Sequence, residues 1–455
     1  MKHDLTKGNI TGHLVRMSVP TMLGLSAQMV YDLVDIFWIG KISAQAVAGV
    51  TIFSTLFGLI CTLNSIIGQS SISVISQSFG KGDTEKTNRA IEQTFTFKFF
   101  VGLLTVAALV FLLRPLLSLF SEDPVVLQSA MDYGLLRLLF LPIMFSSFSV
   151  NTALRCIGDA KTPMKIMFLV NFLNILLDPL FIFSTIPGTS LPGLGLGIFG
   201  AALATVISQT LALIVGFVIL FGGKAGVHPR LKGLFRLDWA TDKKLLTIGL
   251  PNGIEQFLRT FAETIILGFV AVFGTKVIAA TGVAGRIFSL AFKPLVGLST
   301  GGATIVGQNL GAENVERAHH AAKNAGVLGM ASMFLFTVLC WTMGGHIMRL
   351  FTSDPGIVQI GAEFLRFGSI GLTILAYGFG MGIVFSGSGF NIPYVVGGMA
   401  ARWAVQIPIL VLTIWVLHLP VIWVWLSFVF SDVAESVIYL LFFRQGRWRT
   451  RRVTV

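Results

Sequence analysis

Asp32 and Asp35 interrupt an apolar run that extends from about residue 14 to 39, in the order Tyr31-Asp32-Leu33-Val34-Asp35-Ile36-Phe37-Trp38. That run exceeds the roughly 20 residues a bilayer-crossing helix needs. A charge at the centre of such a helix costs about 2.5–3.5 kcal/mol even on insertion-derived scales. Both acids therefore require polar partners, water or a proton. A second polar set lies further along. Asn171, Asn174 and Asp178 are spaced i, i+3 and i+7, which puts them on one helical face. Pro179 follows and frees a backbone carbonyl one turn upstream. With Asp35 these groups are suited to one shared pocket, where two carboxylates in a low dielectric cannot both ionise cheaply and one is set to hold a proton. The alternative is a structural cluster that pins two helices together. Asp32 lies about 60° round the helix from Asp35 and belongs either to the same pocket or to the packing.

The second half of the chain carries a different pattern. Glu255, Arg259 and Glu263 follow i, i+4, i+8 spacing, suited to a ladder of ion pairs within a span. Asp432 and Glu435, with Arg286, Lys293 and Arg402, lie in or near other apolar runs of that half. Mutual neutralisation is the favoured role over direct contact with a substrate. Other motifs point to little chemistry. Gly195-Leu196-Gly197-Ile198-Phe199-Gly200 fits a dinucleotide pattern, but no βαβ unit surrounds it, and with Ala201 and Ala202 it reads as close helix packing. Tyr31-Asp32 and Ile157-Gly158-Asp159 faintly match the two motifs of an intramembrane aspartyl protease, which makes an enzyme the remote alternative. Cys61, Cys156, Cys340 and the scattered histidines have no metal-binding or disulfide spacing, so no metal and no cofactor is expected.

Positioning these groups falls to a membrane domain. Of the 455 residues 54% are hydrophobic and 12% charged, with mean hydropathy +0.82, where soluble domains carry about 25% charged residues. The formal charge of +12 invites a nucleic-acid reading. Its distribution answers that: basic residues cluster in alternate loops, at Lys2 to Arg16, Lys81 to Arg89, Arg155 to Lys165, Lys224 to Lys244, Arg317 to Lys323 and Arg444 to Arg452. The intervening loops hold little beyond Lys41, Arg114, Lys276 and Arg349. This is the positive-inside pattern, with both termini cytoplasmic and no nucleic-acid partner. The N-terminal run is too long and too acidic for a cleavable signal peptide.

Twelve apolar spans are expected, near 14–39, 47–75, 90–114, 126–150, 164–186, 196–222, 246–273, 278–307, 320–345, 357–386, 393–417 and 420–443. The halves repeat. Pro20 lines up with Pro251 at an offset of 231 (251 − 20), and Gln77 and Gly80 meet Gln308 and Gly311 at the same offset. So do Asp123-Pro124 with Asp354-Pro355, and Gly158 with Gly389. An even number of spans per half makes the repeats parallel, about an axis along the membrane normal. The expected architecture is all-α and polytopic: a six-helix bundle over 1–222, a cytoplasmic linker over 223–244, a second six-helix bundle over 245–445, a basic tail over 446–455, and a central cleft. Pro20 removes a backbone hydrogen bond from span 1 and gives that helix a place to bend.

The motif Tyr-Asp-Leu-Val-Asp-Ile-Phe-Trp-Ile-Gly at Tyr31–Gly40 resembles the multidrug and toxic compound extrusion (MATE) family. The loop Gln77-Ser-Phe-Gly-Lys-Gly-Asp83, the stretch Ala153-Leu-Arg-Cys-Ile-Gly-Asp159 and Asn174-Ile-Leu-Leu-Asp178-Pro179 resemble it too. Asp35 with Asn174 and Asp178 is similar to the DinF-like branch. The NorM-like branch has a glutamate eight residues after the span-7 proline, where this chain has Arg259. The resemblance implies a secondary antiporter of the cell's inner membrane that exports amphipathic, often cationic, organic compounds against inflowing H⁺ or Na⁺. It assigns coupling to Asp35, tuned by Asp178 and Asn174, and polar support to Tyr31, Asn151 and Thr205. H⁺ is favoured, because Na⁺ needs several hard oxygen ligands at once and no clear cage is visible. A monomer is expected. The runner-up function is a lipid or lipid-linked-precursor flippase of related architecture.

Overall fold

The computed structural model describes residues 4–223 and 226–453, so Lys2 and Lys224 lie outside the described residues, as do the last two residues of the basic tail. The first half comprises α1 (Ile10–Gly40), α2 (Ala44–Gly80), α3 (Thr84–Leu109), α4 (Leu113–Ser118), α5 (Pro124–Leu139), α6 (Leu141–Cys156), α7 (Lys161–Ile182) and α8 (Gly197–Phe221). A short 3-10 turn, Leu231–Phe235, leads to the second half. That half contains α9 (Trp239–Ala271), α10 (Thr275–Gly311), α11 (Val315–Arg349), α12 (Pro355–Met381), α13 (Ile383–Ser388), α14 (Ile392–Met399), α15 (Ile407–Leu410), α16 (Ile422–Gln445) and α17 (Arg447–Thr450). π-Helical turns at Ala400–Gln406 and Val411–Val416 flank α15.

Among the described residues, ten helical stretches are long and apolar enough to cross a bilayer, with α5 and α6 together making an eleventh. The remaining expected span is α9. Glu255, Arg259 and Glu263 fall within its apolar part, yet its 33 residues reach about 50 Å, ample for a bilayer. The single straight span expected over 126–150 is corrected: α5 and α6 meet at a 55° bend. Pro142 opens α6, and a proline there can neither donate to the preceding turn nor pack its ring against it. By contrast α1 continues unbroken through Pro20, with the Thr21 hydroxyl donating to the Met17 carbonyl at 2.9 Å.

The apolar cores divide by depth. At one end, Phe53, Tyr133 and Phe145 pack within the first half, and Phe364, Leu410 and Trp425 pack within the second. At the other end, which carries both described termini and most basic loops, the cores mix residues of both halves. Leu14 and Met17 join Ile305 and Val384 there, and Ile75 joins Leu245 and Ala303. Two symmetric hydrogen bonds close this end. Gln77 Nε2 donates to the Gly387 carbonyl at 2.9 Å, and Gln308 Nε2 donates to the Cys156 carbonyl at 2.8 Å. Both carbonyls sit in the last turn of a helix that ends at a left-handed glycine, Gly158 or Gly389, where carbonyls lack intrahelical donors. Gly80 and Gly311 lie so close to the backbones of Gln308 and Gln77 that a Cβ at either would collide. The repeat motif read in the sequence is thus a pair of interlocking contacts between the halves.

The linker is strapped to α3 rather than free. Gln93 Nε2 donates to the Arg236 carbonyl at 2.6 Å, Thr96 Oγ1 donates to the Leu234 carbonyl at 2.6 Å, and Arg89 pairs with Asp238 at 2.7 Å. Burial works against the charge of Asp238, but the Thr241 hydroxyl, the Arg89 guanidinium and the Ala240 amide outweigh it and hold that carboxyl below the usual range.

Candidate functional site

The first-half pocket is built by four helices. Tyr31 and Asp35 project from one face of α1, Tyr133 and Arg137 from α5, Asn174 and Asp178 from α7, and Thr205 from α8. Small residues set the spacing. Gly24 of α1 faces Met167 of α7, and Gly200 of α8 lies against the backbone at Phe181, so the packing role expected for Gly200, Ala201 and Ala202 is what the fold shows.

Asp35 is 5% exposed and Asp178 fully buried. Tyr133 Oη donates to Asp35 Oδ2 at 2.9 Å and accepts from Arg137 NH1 at 2.8 Å. Arg137 also lies over the Phe57 and Tyr133 rings, at 4.7 and 5.2 Å from their centroids. Tyr31 Oη and Thr205 Oγ1 share a hydrogen bond at 3.0 Å. With its amide oriented to satisfy both neighbours, Asn174 donates to Asp178 Oδ2 at 3.1 Å and accepts from the Thr205 amide at 3.2 Å. Both carboxyls are buried, and Asp35 Oδ1 has no hydrogen-bond partner. Two acids and one arginine share this pocket.

The structure thus gathers Asp35, Asn174, Asp178, Tyr31 and Thr205, as expected from the sequence. Other expected members stand apart. Asp32 is exposed, in the fields of Arg137 and Lys293, and makes no hydrogen bond among the described residues. Asn151 makes none to the pocket, and the Asn171 side-chain nitrogen is buried without a partner. Tyr133 and Arg137 are the residues that sequence reasoning missed. Their signal was a lone arginine in Leu135-Leu136-Arg137-Leu138-Leu139 with a tyrosine one turn before it.

In the second half the expected ladder is corrected. Arg259 Nε donates to Glu255 at 2.6 Å, but its NH2 reaches across to Glu435 of α16 at 2.9 Å instead of along the helix to Glu263. Helical side chains lean toward the N-terminus, which brings Glu255 into reach and leaves Glu263 on the cavity wall. Tyr439 also donates to Glu435, at 2.6 Å. Arg402 donates to Ser431 at 2.6 Å and lies 3.6 Å from Asp432. Beside this network is a cavity of about 690 Å³, bordered by α9, α10, α12 and α16. Asp159, the second acid of the protease alternative, accepts from the Lys161 and Thr162 amides at the start of α7 and has no part in a catalytic pair.

A helical membrane protein of two repeated halves, with paired acids buried in one and a large cavity in the other, has the plan of a transporter. The family model described as MatE matches residues 20–180 and again 251–412, beginning at Pro20 and at Pro251. The chain belongs to the MatE family. It is 26% identical to the probable multidrug resistance protein YpnP of Bacillus subtilis, over 99% of this chain and 98% of that one. It is 25% identical to an FAD transporter of Shewanella oneidensis, over 82% of each. Its fold matches a solved multidrug resistance MATE family transporter in an outward-facing conformation, with a TM-score of 0.87 at 23% identity over 97% of both chains.

Proposed function

We propose that this chain is a proton-coupled antiporter that exports amphipathic organic compounds by alternating access. The observation that carries the reading is the meeting of Asp35 and Asp178, from α1 and α7, in a pocket holding one arginine. With Arg137 balancing one carboxylate, uptake of a single proton neutralises the site, and its release restores a buried charge that seeks water or polar contacts. Either event changes how α1 and α7 prefer to pack. Pro20 gives α1 a point at which to respond, so proton binding and cleft shape are coupled. The names of the bacterial relatives support multidrug efflux as the cargo reading. Asp35 with Asn174 and Asp178 supports the DinF-like branch. H⁺ is preferred to Na⁺ because the pocket offers two carboxylates and a nearby guanidinium, a poor setting for a bare cation.

The chain acts as a monomer in the inner membrane, its basic end in the cytoplasm by the positive-inside rule. The interlocked end then faces the cytoplasm, and the halves, 1–222 and 245–445, part on the outer side. The test is efflux from proteoliposomes after Asp35→Asn or Asp178→Asn. Each variant should fold and lose gradient-driven export by at least about ten-fold; wild-type export by either would sink the coupling role.

A further inference from the structure

We propose that the segment after α16 is a latch: Val453, inserted at the junction of the halves, holds the basic end shut and must withdraw for that end to open. This rests on the reading of the chain as an alternating-access exporter and adds the part that times its opening.

The segment is rooted in one half and reaches into the other. Gly446 takes a left-handed conformation, φ 72°, and turns the chain out of α16. Trp448 then anchors it to the second half. Its ring is fully buried and stacks on Phe443 of α16 with centroids 5.6 Å apart, and its Nε1 donates to the Phe443 carbonyl at 3.1 Å. Arg449 NH2 meets His319 Nδ1 of α11 at 3.1 Å. Further on, the backbone amide of Val453 donates to Gln77 Oε1 of α2, in the first half, at 2.8 Å. Gln77 Nε2 donates at the same time to the Gly387 carbonyl, so one side-chain amide of the first half grips two separate segments of the second. The Val453 side chain is 6% exposed and packs in a core with Ile75 of the first half and Leu245, Ile248 and Ala303 of the second. Its slot exists because residue 389 is glycine. Val453 Cγ2 comes within 2.8 Å of where a Cβ there would stand, and Ser73 Oγ within 3.1 Å.

If the halves part at this end, the segment cannot keep both attachments. The root is a fully buried, stacked tryptophan; the tip is one valine and one hydrogen bond, the weaker hold, so the tip lets go. Arg451 and Arg452 beside it are exposed and keep the freed tip at ease in water. Re-entry of the valine returns its apolar surface to the slot and closes the end again.

The test measures electron-spin distances between labels at Glu85 and Glu316, exposed first-turn residues of α3 and α11 in opposite halves, in phosphatidylcholine nanodiscs. Cys61, Cys156 and Cys340 are first replaced by alanine. Val453→Asp, which puts a charge in the slot, and a chain ending at Thr450 should each raise the long-distance fraction at least about three-fold. Arg451→Gln should leave it unchanged. An unchanged fraction in both latch variants, or an equal rise in Arg451→Gln, overturns the proposal. A second measurement keeps the latch itself intact. Lys81 and Arg452 are exposed and border one depression of about 80 Å³. In the same cysteine-free background, Lys81→Cys with Arg452→Cys, joined by a short cleavable bis-thiosulfonate, should lose efflux at least about ten-fold and regain it on reduction. Native efflux with the link in place overturns the latch. The distances need no proton gradient, so a widened end in both latch variants without proton-driven export would sink the coupling reading and leave the latch standing.

Discussion

On the proton-coupled reading, the arginine held near Asp35 through Tyr133 sets how many protons the first-half pocket takes up. Replacing it by glutamine removes the one balancing charge. Arg137→Gln should therefore move the pH profile of efflux upward, because the carboxylates lose the cation that favours their ionised forms; transport rates read against pH check this. Asp178→Asn should flatten the same profile, since an amide cannot cycle a proton, and slower turnover with an unchanged profile would make Asp178 structural. At the surface, Asp238 gives a smaller effect of known sign. Its carboxyl titrates below the unfolded value, so its contribution is present above about pH 4 and fades as pH falls through the folded value. Asp238→Asn should lower the thermal midpoint at pH 7 by about 1 °C, consistent with an exposed pair worth under about 1 kcal/mol, and the difference should vanish near pH 2. Asp35, Asn174 and Asp178 were legible in the sequence because polar groups in apolar spans stand out and their spacing fixes their face. Tyr133 and Arg137 were less so: the lone arginine in its apolar run stood out, but the acid it serves depends on α5 being bent away from α6 and packed against α2 and α8.

Between elements, the paired glutamine contacts decide how firmly the basic end is shut. Each hydrogen bond to an end-of-helix carbonyl contributes about 0.5–1.5 kcal/mol to the closed arrangement, or a two- to ten-fold change in its equilibrium. Cys156 is a built-in reporter: its carbonyl accepts from Gln308, and its thiol is buried at the junction of the halves. Gln308→Ala and Gln77→Ala should each speed maleimide labelling of Cys156 several-fold while leaving Cys340, buried within the second half's own core, unchanged. Equal labelling of Cys156 in the native chain and both variants would reduce the contacts to packing. The 231-residue repeat revealed that these glutamines and glycines correspond, but not that they meet. A pseudo-two-fold relation brings equivalent motifs face to face only in the arrangement that closes this end, and that is a property of the assembled halves.

On the scale of the molecule, the charge pattern, the repeat and the spans made the all-helical, two-half plan legible. The charged groups of the second half were the harder reading, because i, i+4 spacing cannot tell a helical ladder from a cross-helix network. Arg259 chose Glu435 over Glu263, which leaves Glu263 on the cavity wall. On the proposed function, the acid pair of the first half couples export to protons. The most direct test is substrate efflux from proteoliposomes under separately imposed gradients. A pH gradient alone, with Na⁺ equal on both sides and the membrane potential clamped, should drive export in the native chain and fail to do so in Asp35→Asn. Export driven by a Na⁺ gradient alone, with pH equal and potential clamped, would contradict it.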